Sequence, residues 1–241
     1  MKKASDCKFA YAQRSQPFLE PRKTPVQARS AASVNAILDA TIQVLLRLGK
    51  ERLTTTKVAL RAGVSVGTLY QYFPNKSALL QAVLKRNLDE VTTAVELVCK
   101  QQEGATLRKM ATALITTFFE AKMKNAKTSI ALYSVSSDVD GAKIVQQMGV
   151  RWNKAIVKML GSSCEPLTKD PELVAWILQA AVTGVSRNML ESGAPEKDAH
   201  TLHQELIVAV CAYLDVCSAH DSAKSESAIG DADRELSDAA R

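Results

Sequence analysis

The chain has 241 residues, 46% of them apolar, with ten glycines, seven prolines and few aromatics, a composition that supports a sizeable core in one or two domains. The net charge is +6, but residues 1–76 hold 13 Lys or Arg against 4 Asp or Glu, so the remaining 165 residues carry −3. This asymmetry favours a nucleic-acid partner over an anionic membrane surface, because no basic segment also carries a large apolar face. Charged residues near the N-terminus interrupt any apolar segment of a signal peptide, which argues against export or a membrane span. The five cysteines are scattered without Cys-x-x-Cys spacing, which favours the reducing cytoplasm.

Residues 1–29 are polar, basic and rich in proline, so we expect a flexible arm. Its Arg22, Lys23 and Arg29 could reach phosphates or a minor groove, and the alternative is a solubilising tail. A helix follows over residues 30–48, because its apolar positions recur on one face. These positions are Val34, Ile37, Leu38, Thr41, Leu45 and Leu48.

The stretch from Leu53 to Lys76 predicts two short helices around a tight turn. Thr54 is suited to cap the first helix and Gly63 to end it, while Ser65 caps the second and Asn75 begins a third. Thr55 and Thr56 then lie in a first turn, whose free N–H groups attract phosphate. A seven-residue helix is not stable alone, so we expect Leu69 and Phe73 to anchor the second helix to a core while its aromatic residues Tyr70 and Tyr72 face outward. This spacing indicates a DNA-binding helix-turn-helix, although two short helices of an ordinary all-α core would look alike.

The region from about Ala36 to Leu84 resembles the DNA-binding domain of the TetR family of bacterial transcriptional regulators. The resemblance is carried by ILDAT at residues 37–41, Gly49, the Leu-Thr-Thr that begins at Leu53, and AGVSVGTLYQYFPNKSALL at residues 62–80. It implies backbone-phosphate contacts by Thr55, Tyr70, Tyr72 and Lys76, and base-edge contacts by Val66, Gly67, Thr68 and Gln71. Thr56, beside Thr55, completes the expected DNA-binding set.

The rest of the chain reads as one long helix over residues 75–101 and five further helices over residues 106–122, 127–136, 142–160, 172–191 and 199–217. We therefore expect an all-α fold of about nine helices. The predicted domains are a helix-turn-helix domain at residues 30–76 and a second helical domain at residues 77–217, followed by a disordered tail at residues 218–241. By the resemblance, the second domain binds a small-molecule effector and forms a homodimer.

The last two helices carry broad apolar faces. Their members are Val174, Ile177, Leu178, Ala181, Gly184, Val185 and Met189 on one helix, and Leu202, Leu206, Val210, Tyr213 and Leu214 on the other. The family resemblance implies a four-helix bundle with the same pair of a second copy, which suits a palindromic operator. The alternative is a core pair within one chain.

An effector cavity would need aromatic and soft side chains with a few polar anchors. The candidates are Phe118, Tyr133, Met148, Trp152 and Trp176, although each such residue belongs more often to an ordinary core than to a ligand wall. Such a cavity would suit an apolar or amphipathic small molecule.

No catalytic, metal or cofactor site is expected from the sequence. His200 and His203, with Glu205 nearby, have a spacing that a metal could use, but no further ligand follows, so a solvated helix end is preferred. Neither a phosphate-binding glycine loop nor a nucleophile motif is visible.

The sequence therefore predicts a cytoplasmic, homodimeric transcriptional regulator, a repressor that binds double-stranded DNA and is released when an effector moves the 75–101 helix. One alternative is an effector-independent architectural DNA-binding protein. Another is a helical enzyme whose helix-turn-helix is incidental.

Overall fold

The computed structural model describes residues 28–137, 139–193 and 196–218. Over these residues the chain forms α1 (Ala28–Arg52), α2 (Thr55–Ala62), α3 (Val66–Tyr72), α4 (Lys76–Gln101), α5 (Leu107–Met123), α6 (Ala126–Ser136), α7 (Val139–Gly161), α8 (Pro171–Ser192) and α9 (Glu196–Cys217). The predicted all-α layout is confirmed, with helix ends within about one turn of those expected. Apart from an isolated bridge between Leu167 and Ser218, the described residues contain no strand pairing. The predicted N-terminal arm and C-terminal tail lie almost wholly outside the described residues.

Local capping explains where the short helices begin and end. The side-chain oxygens of Thr54, Ser65 and Asn75 accept the backbone N–H groups three residues ahead, at 3.3, 2.9 and 2.8 Å respectively. Gly63 ends α2 with a φ of 68°, a left-handed conformation that glycine adopts without steric cost. Gly49 breaks α1 with a φ of 75° and a ψ of 168°. The predicted caps are confirmed because each depends on a side chain close in sequence.

Two apolar cores hold the molecule together, and α4 contributes to both. The first core contains Leu53, Leu69 and Phe73 of the helix-turn-helix region with the buried faces of α1 and the first half of α4. The second contains the second half of α4 with α5, α7, α8 and α9. The continuous helix α4 therefore joins the two cores.

The helix α6 also belongs partly to the first core. Its Leu132 and Val135 are buried among side chains of α1 and α4, although α6 follows these helices by many residues in the chain. Salt bridges reinforce the contacts of α4: Arg86 pairs with Asp39 of α1 at 2.8 Å, and Arg151 of α7 pairs with Asp89 and Glu96 at 2.9 and 2.8 Å.

The segment Ser30–Arg52 is, by length and composition alone, long and apolar enough to cross a membrane, with a mean hydropathy of 1.3. The sequence analysis expects no membrane span. In the fold its apolar residues Ile37, Ala40, Val44 and Leu45 are buried against neighbouring helices. The apolar composition of α1 is thus accounted for by the first core, as in core helices of folded domains.

Candidate DNA-binding surface, effector cavity and dimer face

The residues expected at DNA gather on one surface around α2 and α3. The hydroxyls of Thr55, at the start of α2, and Tyr70, on α3, lie 3.0 Å apart, which fixes the two helices to each other at the surface. Tyr70 is 41% exposed, and Thr56, Gly67 and Gln71 are exposed as well. The free N–H groups at the start of α2 therefore face the same side as the polar positions of α3.

The three residues at the start of α3 differ in which of their groups are free at the surface. Thr68 is half-buried, and its hydroxyl lies 2.8 Å from the Ser65 hydroxyl, so its polar atom is engaged within the cap. Val66 is half-buried and packs against the first core. At Gly67 an added Cβ would meet only the Ser65 hydroxyl at 3.7 Å, which is ordinary contact. Nothing among the described residues therefore requires glycine there, although glycine costs about 1 kcal/mol relative to alanine in a helix.

The outward orientation predicted for Tyr72 is wrong. Its side chain is only 9% exposed and packs in the first core with Leu69 and Phe73. The reason is that a seven-residue helix needs more than two anchors, and the aromatic ring supplies the additional buried area.

Cations collect beside this surface at the end of α1. The Lys76 ammonium lies 3.5 Å from the Glu51 carbonyl oxygen, and the Lys57 ammonium donates to the Arg52 carbonyl oxygen at 2.9 Å. The exposed Arg61 of α2 donates to Gln43 of α1. The sequence analysis did not assign roles to Lys57 and Arg61, although both belong to the basic surplus that it noted.

A cavity of about 460 Å³ lies between α4, α5, α6, α7 and α8. Its wall includes Phe118 and Trp152, whose rings stack with centroids 4.8 Å apart, and also Tyr133 and Met148. Four of the five predicted effector residues are thus brought together. The placement of Trp176 is wrong: it is 72% exposed on α8 and does not line the cavity, because its position lies on the outer face of that helix.

The cavity also contains charged groups that the sequence analysis missed. Lys122 and Arg187 line it, and among the residues that the structure describes no carboxylate does. Burial lowers the pKa of Lys122 and raises that of Tyr133. A signal existed for Lys122, since it follows Phe118 by four residues and so continues the buried face of α5. A larger, more open groove of about 1170 Å³ is lined by charges of both signs, including the Lys85–Asp89 pair at 3.0 Å, and suits solvent better than an apolar ligand.

The helix α6 connects the cavity to the DNA-binding region. Ser129, Tyr133 and Ser136 line the cavity, whereas Val135 is buried in the first core. Leu132 takes part in both. The Lys50 ammonium, at the end of α1, donates to the Ser134 carbonyl oxygen at 3.1 Å.

The outer faces of α8 and α9 present an apolar stripe, here called the dimer face. It consists of Leu173, Trp176, Ile177, Ala180 and Gly184 on α8, and Val208, Ala209, Ala212 and Val216 on α9. Half of the residues that the sequence predicted for dimerisation, such as Val174, Leu178, Leu206 and Leu214, are instead buried in the second core, and Ala181, Val185 and Tyr213 are partly buried against it. Only Ile177, Gly184 and Leu202 of that prediction are exposed, because the strongest apolar periodicity marks the side of each helix that packs within its own chain.

The histidines of α9 do not form part of a metal cluster in the described part of the chain. His203 lies against the Phe119 ring with centroids 5.1 Å apart, and its Nε2 is 3.4 Å from the Thr116 hydroxyl. Burial and the neighbouring His200 lower the pKa of His203. His203 therefore packs between α5 and α9.

Comparison with known proteins agrees with this arrangement. Residues 37–83 match bacterial regulatory proteins of the tetR family, and residues 106–214 match the tetracyclin repressor-like C-terminal domain. The nucleoid occlusion factor SlmA of Klebsiella pneumoniae is 33% identical over 149 residues, which are 60% of this chain and 75% of that protein. The HTH-type transcriptional repressor KstR of Mycolicibacterium smegmatis is 28% identical over 169 residues, which are 64% of this chain and 81% of that protein.

Coverage is shorter for some relatives, since the match to the SlmA of Haemophilus ducreyi spans 52% of that protein. Among solved structures, the transcriptional regulator FadR from Bacillus subtilis in complex with stearoyl-CoA superposes with a TM-score of 0.60 at 19% identity, over 73% of this chain and 96% of that one. This likeness concerns the fold alone. The helix-turn-helix domain, the helical second domain and these relatives together define the class: the chain belongs to the TetR family of DNA-binding transcriptional regulators.

Proposed function

We propose that this protein is a homodimeric transcriptional repressor of the bacterial cytoplasm that binds an inverted-repeat operator and leaves it when a small molecule occupies the cavity. Residues 30–76 would serve as the DNA-binding domain and residues 77–217 as the effector-binding and dimerisation domain. The observation that carries the proposal is the double role of α6, whose Tyr133 lines the cavity and whose Val135 packs in the first core, together with the helix-turn-helix.

DNA binding would use the surface around α2 and α3. Tyr70 and Thr55 would bind one phosphate through their adjoining hydroxyls, and Lys76 would bind another beside the start of α4. Gln71 would reach base edges, because its amide can both donate and accept. Gly67 supports a close approach of the α3 backbone to the DNA, since nothing within the described residues requires a glycine there.

Dimerisation would use the dimer face. Exposed large apolar side chains concentrate on it, with Trp176 and Val216 at 72% and 63% exposure. Burying them against a second copy would remove apolar surface from water, and the small residues Ala180 and Gly184 would let the helices approach closely. Two copies related by a two-fold axis would present two α3 helices to successive major grooves.

Control by a ligand would follow from the position of the cavity. A ligand that fills it would contact α4 through Leu84 and Leu88 and α6 through Tyr133. Leu84 also belongs to the first core, so a ligand that displaces these helices would change the orientation of α3. Such a ligand would act by preferring one separation of the two α3 helices over the other.

A second function is favoured by one comparison. The identity with a nucleoid occlusion factor favours a role at the nucleoid, for which the protein would bind DNA through the same surface without ligand control. The cavity has an aromatic wall and shares lining residues with the first core, which favours the ligand-responsive repressor. No catalytic step is assigned in either case.

The test is to retain fragments of the source genome on the full-length protein at about 50 and about 200 mM salt, a roughly fourfold change in ionic strength. We expect one inverted repeat to be enriched, and Tyr70→Ala to lose it. Lys76→Ala should lower the slope of log affinity against log salt by about 1, and Lys127→Ala, on exposed α6 surface, should leave it unchanged. Uniform retention without a motif would favour the architectural alternative, and no retention would contradict both.

A further inference from the structure

The charge of the cavity is one-sided. Lys122 and Arg187 reach it from α5 and α8, while neither Asp nor Glu is found among its lining residues. Arg187 is already paired, because its guanidinium lies 2.9 Å from the Glu191 carboxylate. Lys122 is therefore the cation of the cavity that has no carboxylate partner among the described residues.

Two aromatic rings lie near the Lys122 ammonium but accept no conventional hydrogen bond from it. The nitrogen lies 5.9 Å from the Phe118 ring centroid and 5.8 Å from that of Tyr133. Aromatic faces attract a cation electrostatically, but they do not accept the three hydrogen bonds that an ammonium can donate. Burial penalises the charged form and lowers the pKa of Lys122, with no carboxylate opposing the shift. The cavity thus combines an apolar wall with an ammonium donor, that of Lys122, which lacks a hydrogen-bond acceptor in the described part of the chain.

We infer that the natural ligand of this cavity is a small amphipathic anion, whose carboxylate or equivalent acid group pairs with Lys122 while its apolar body lies along Phe118, Met148 and Trp152. This deepens the proposed function and rests on it, since it names the chemical class of the effector. An anion supplies what neutral and cationic ligands lack, a negative charge that balances the Lys122 ammonium while accepting its hydrogen bonds. The volume of about 460 Å³ limits the ligand to a small molecule.

The experiment is calorimetric titration of the full chain with matched probes on two scaffolds. The naphthalene set is 2-naphthoate, 2-naphthylmethanol and 2-naphthylmethylammonium, and the alkyl set is decanoate, decanol and decyltrimethylammonium. Within a scaffold we expect the anion to bind about tenfold or more tighter than the alcohol, and the cation to bind weakest. Lys122→Met should remove this preference without weakening the alcohol, Lys122→Arg should retain it, and Lys127→Met should leave it unchanged.

Two further readouts separate a binding role from a structural one. The affinity for the anion should fall as the pH rises through the pKa of Lys122, which lies below the ordinary value of 10.5, while that for the alcohol stays constant. The thermal midpoint of the unliganded Lys122→Met variant should be unchanged or raised, because a buried unpaired charge has been removed. Loss of anion binding in a folded variant then reports the missing cation.

The outcomes also distinguish this inference from the proposed function. An alcohol that binds as tightly as the anion, an unaltered Lys122→Met variant, or no binding of any probe would overturn the inference. Release of DNA by a neutral probe would overturn it while supporting the regulator. Binding of the anion through Lys122 without any change in DNA affinity would support the ligand class and contradict control of DNA binding by the cavity.

Discussion

The Lys50 ammonium donates a hydrogen bond to the Ser134 carbonyl oxygen at 3.1 Å. Lys50 follows the break of α1 at Gly49, and Ser134 lies in the last turn of α6, where carbonyl groups lack partners within the helix. The neighbouring Tyr133 lines the cavity. A contact between two distant parts of the chain therefore ties the end of α1, which packs against the helix-turn-helix, to the wall of the cavity.

Lys50→Met should weaken this tie. An exposed hydrogen bond from a charged donor contributes about 0.5–1 kcal/mol, so amides of α6 should exchange roughly two- to fivefold faster in the variant. Binding of an enriched DNA fragment should slow exchange in α6 of the wild type and do so less in the variant. Hydrogen-exchange mass spectrometry measures both effects, with Lys127→Met as a control on the same helix. Equal DNA-induced protection in wild type and Lys50→Met would show that this contact does not transmit the coupling.

Tyr70→Phe should reduce DNA affinity about five- to tenfold, because it removes the hydroxyl that contacts Thr55 and that is proposed to donate to a phosphate. The free energy of unfolding should change by less than about 0.5 kcal/mol, since the hydroxyl is at the surface. Fluorescence anisotropy on an enriched fragment and urea unfolding measure the two quantities.

A double-mutant cycle with Thr55→Val tests whether the two hydroxyls act together. The losses in DNA affinity should be less than additive, because both variants remove the same contact. Fully additive losses would mean that Thr55 and Tyr70 bind separate groups.

Gly67→Ala should stabilise the free protein and weaken DNA binding. The added Cβ meets only the Ser65 hydroxyl at 3.7 Å, so the free energy of unfolding should rise by up to about 1 kcal/mol. DNA affinity should fall about tenfold if the α3 backbone closely approaches the bases. Gly161→Ala, where nothing lies within 4 Å, is the control without a DNA effect. Unaltered DNA affinity in Gly67→Ala would contradict the proposed approach of α3.

Trp176→Glu should convert a dimer to a monomer, because it places a charge in the middle of the dimer face. Sedimentation velocity measures the change, and DNA affinity should fall about a hundredfold because one half-site is then bound at a time. Leu97→Glu replaces a side chain of 56% exposure on α4, outside the dimer face, and should remain dimeric. A dimeric Trp176→Glu protein would place the interface elsewhere.

Features that depend on neighbours in sequence could be predicted from the sequence. The caps at Thr54, Ser65 and Asn75 and the glycine stop at Gly63 each require a side chain or a backbone conformation within a few residues. The gathering of Phe118 and Trp152 was also foreseeable, since large aromatic side chains on apolar helix faces meet in cores.

Features that depend on which helices pack together could not be predicted. Tyr72 is buried and Trp176 exposed because neighbouring helices cover one position and leave the other open, and helical periodicity alone does not distinguish an intramolecular face from a dimer face. The double role of α6 required knowing that Val135 reaches back to the first core. The spacing of Lys122 from Phe118 places both on one face of α5, but only the fold shows that this face borders a cavity.

In the proposed dimer, two α3 helices held at a fixed separation bind two half-sites. The most direct measurement compares the affinity of the wild-type dimer for the enriched inverted repeat with its affinity for the same duplex carrying roughly five extra base pairs, about half a helical turn, between the half-sites. We expect a loss of about a hundredfold, down to the affinity of a single half-site, because the second half-site then faces away. Equal affinity for both duplexes would contradict it.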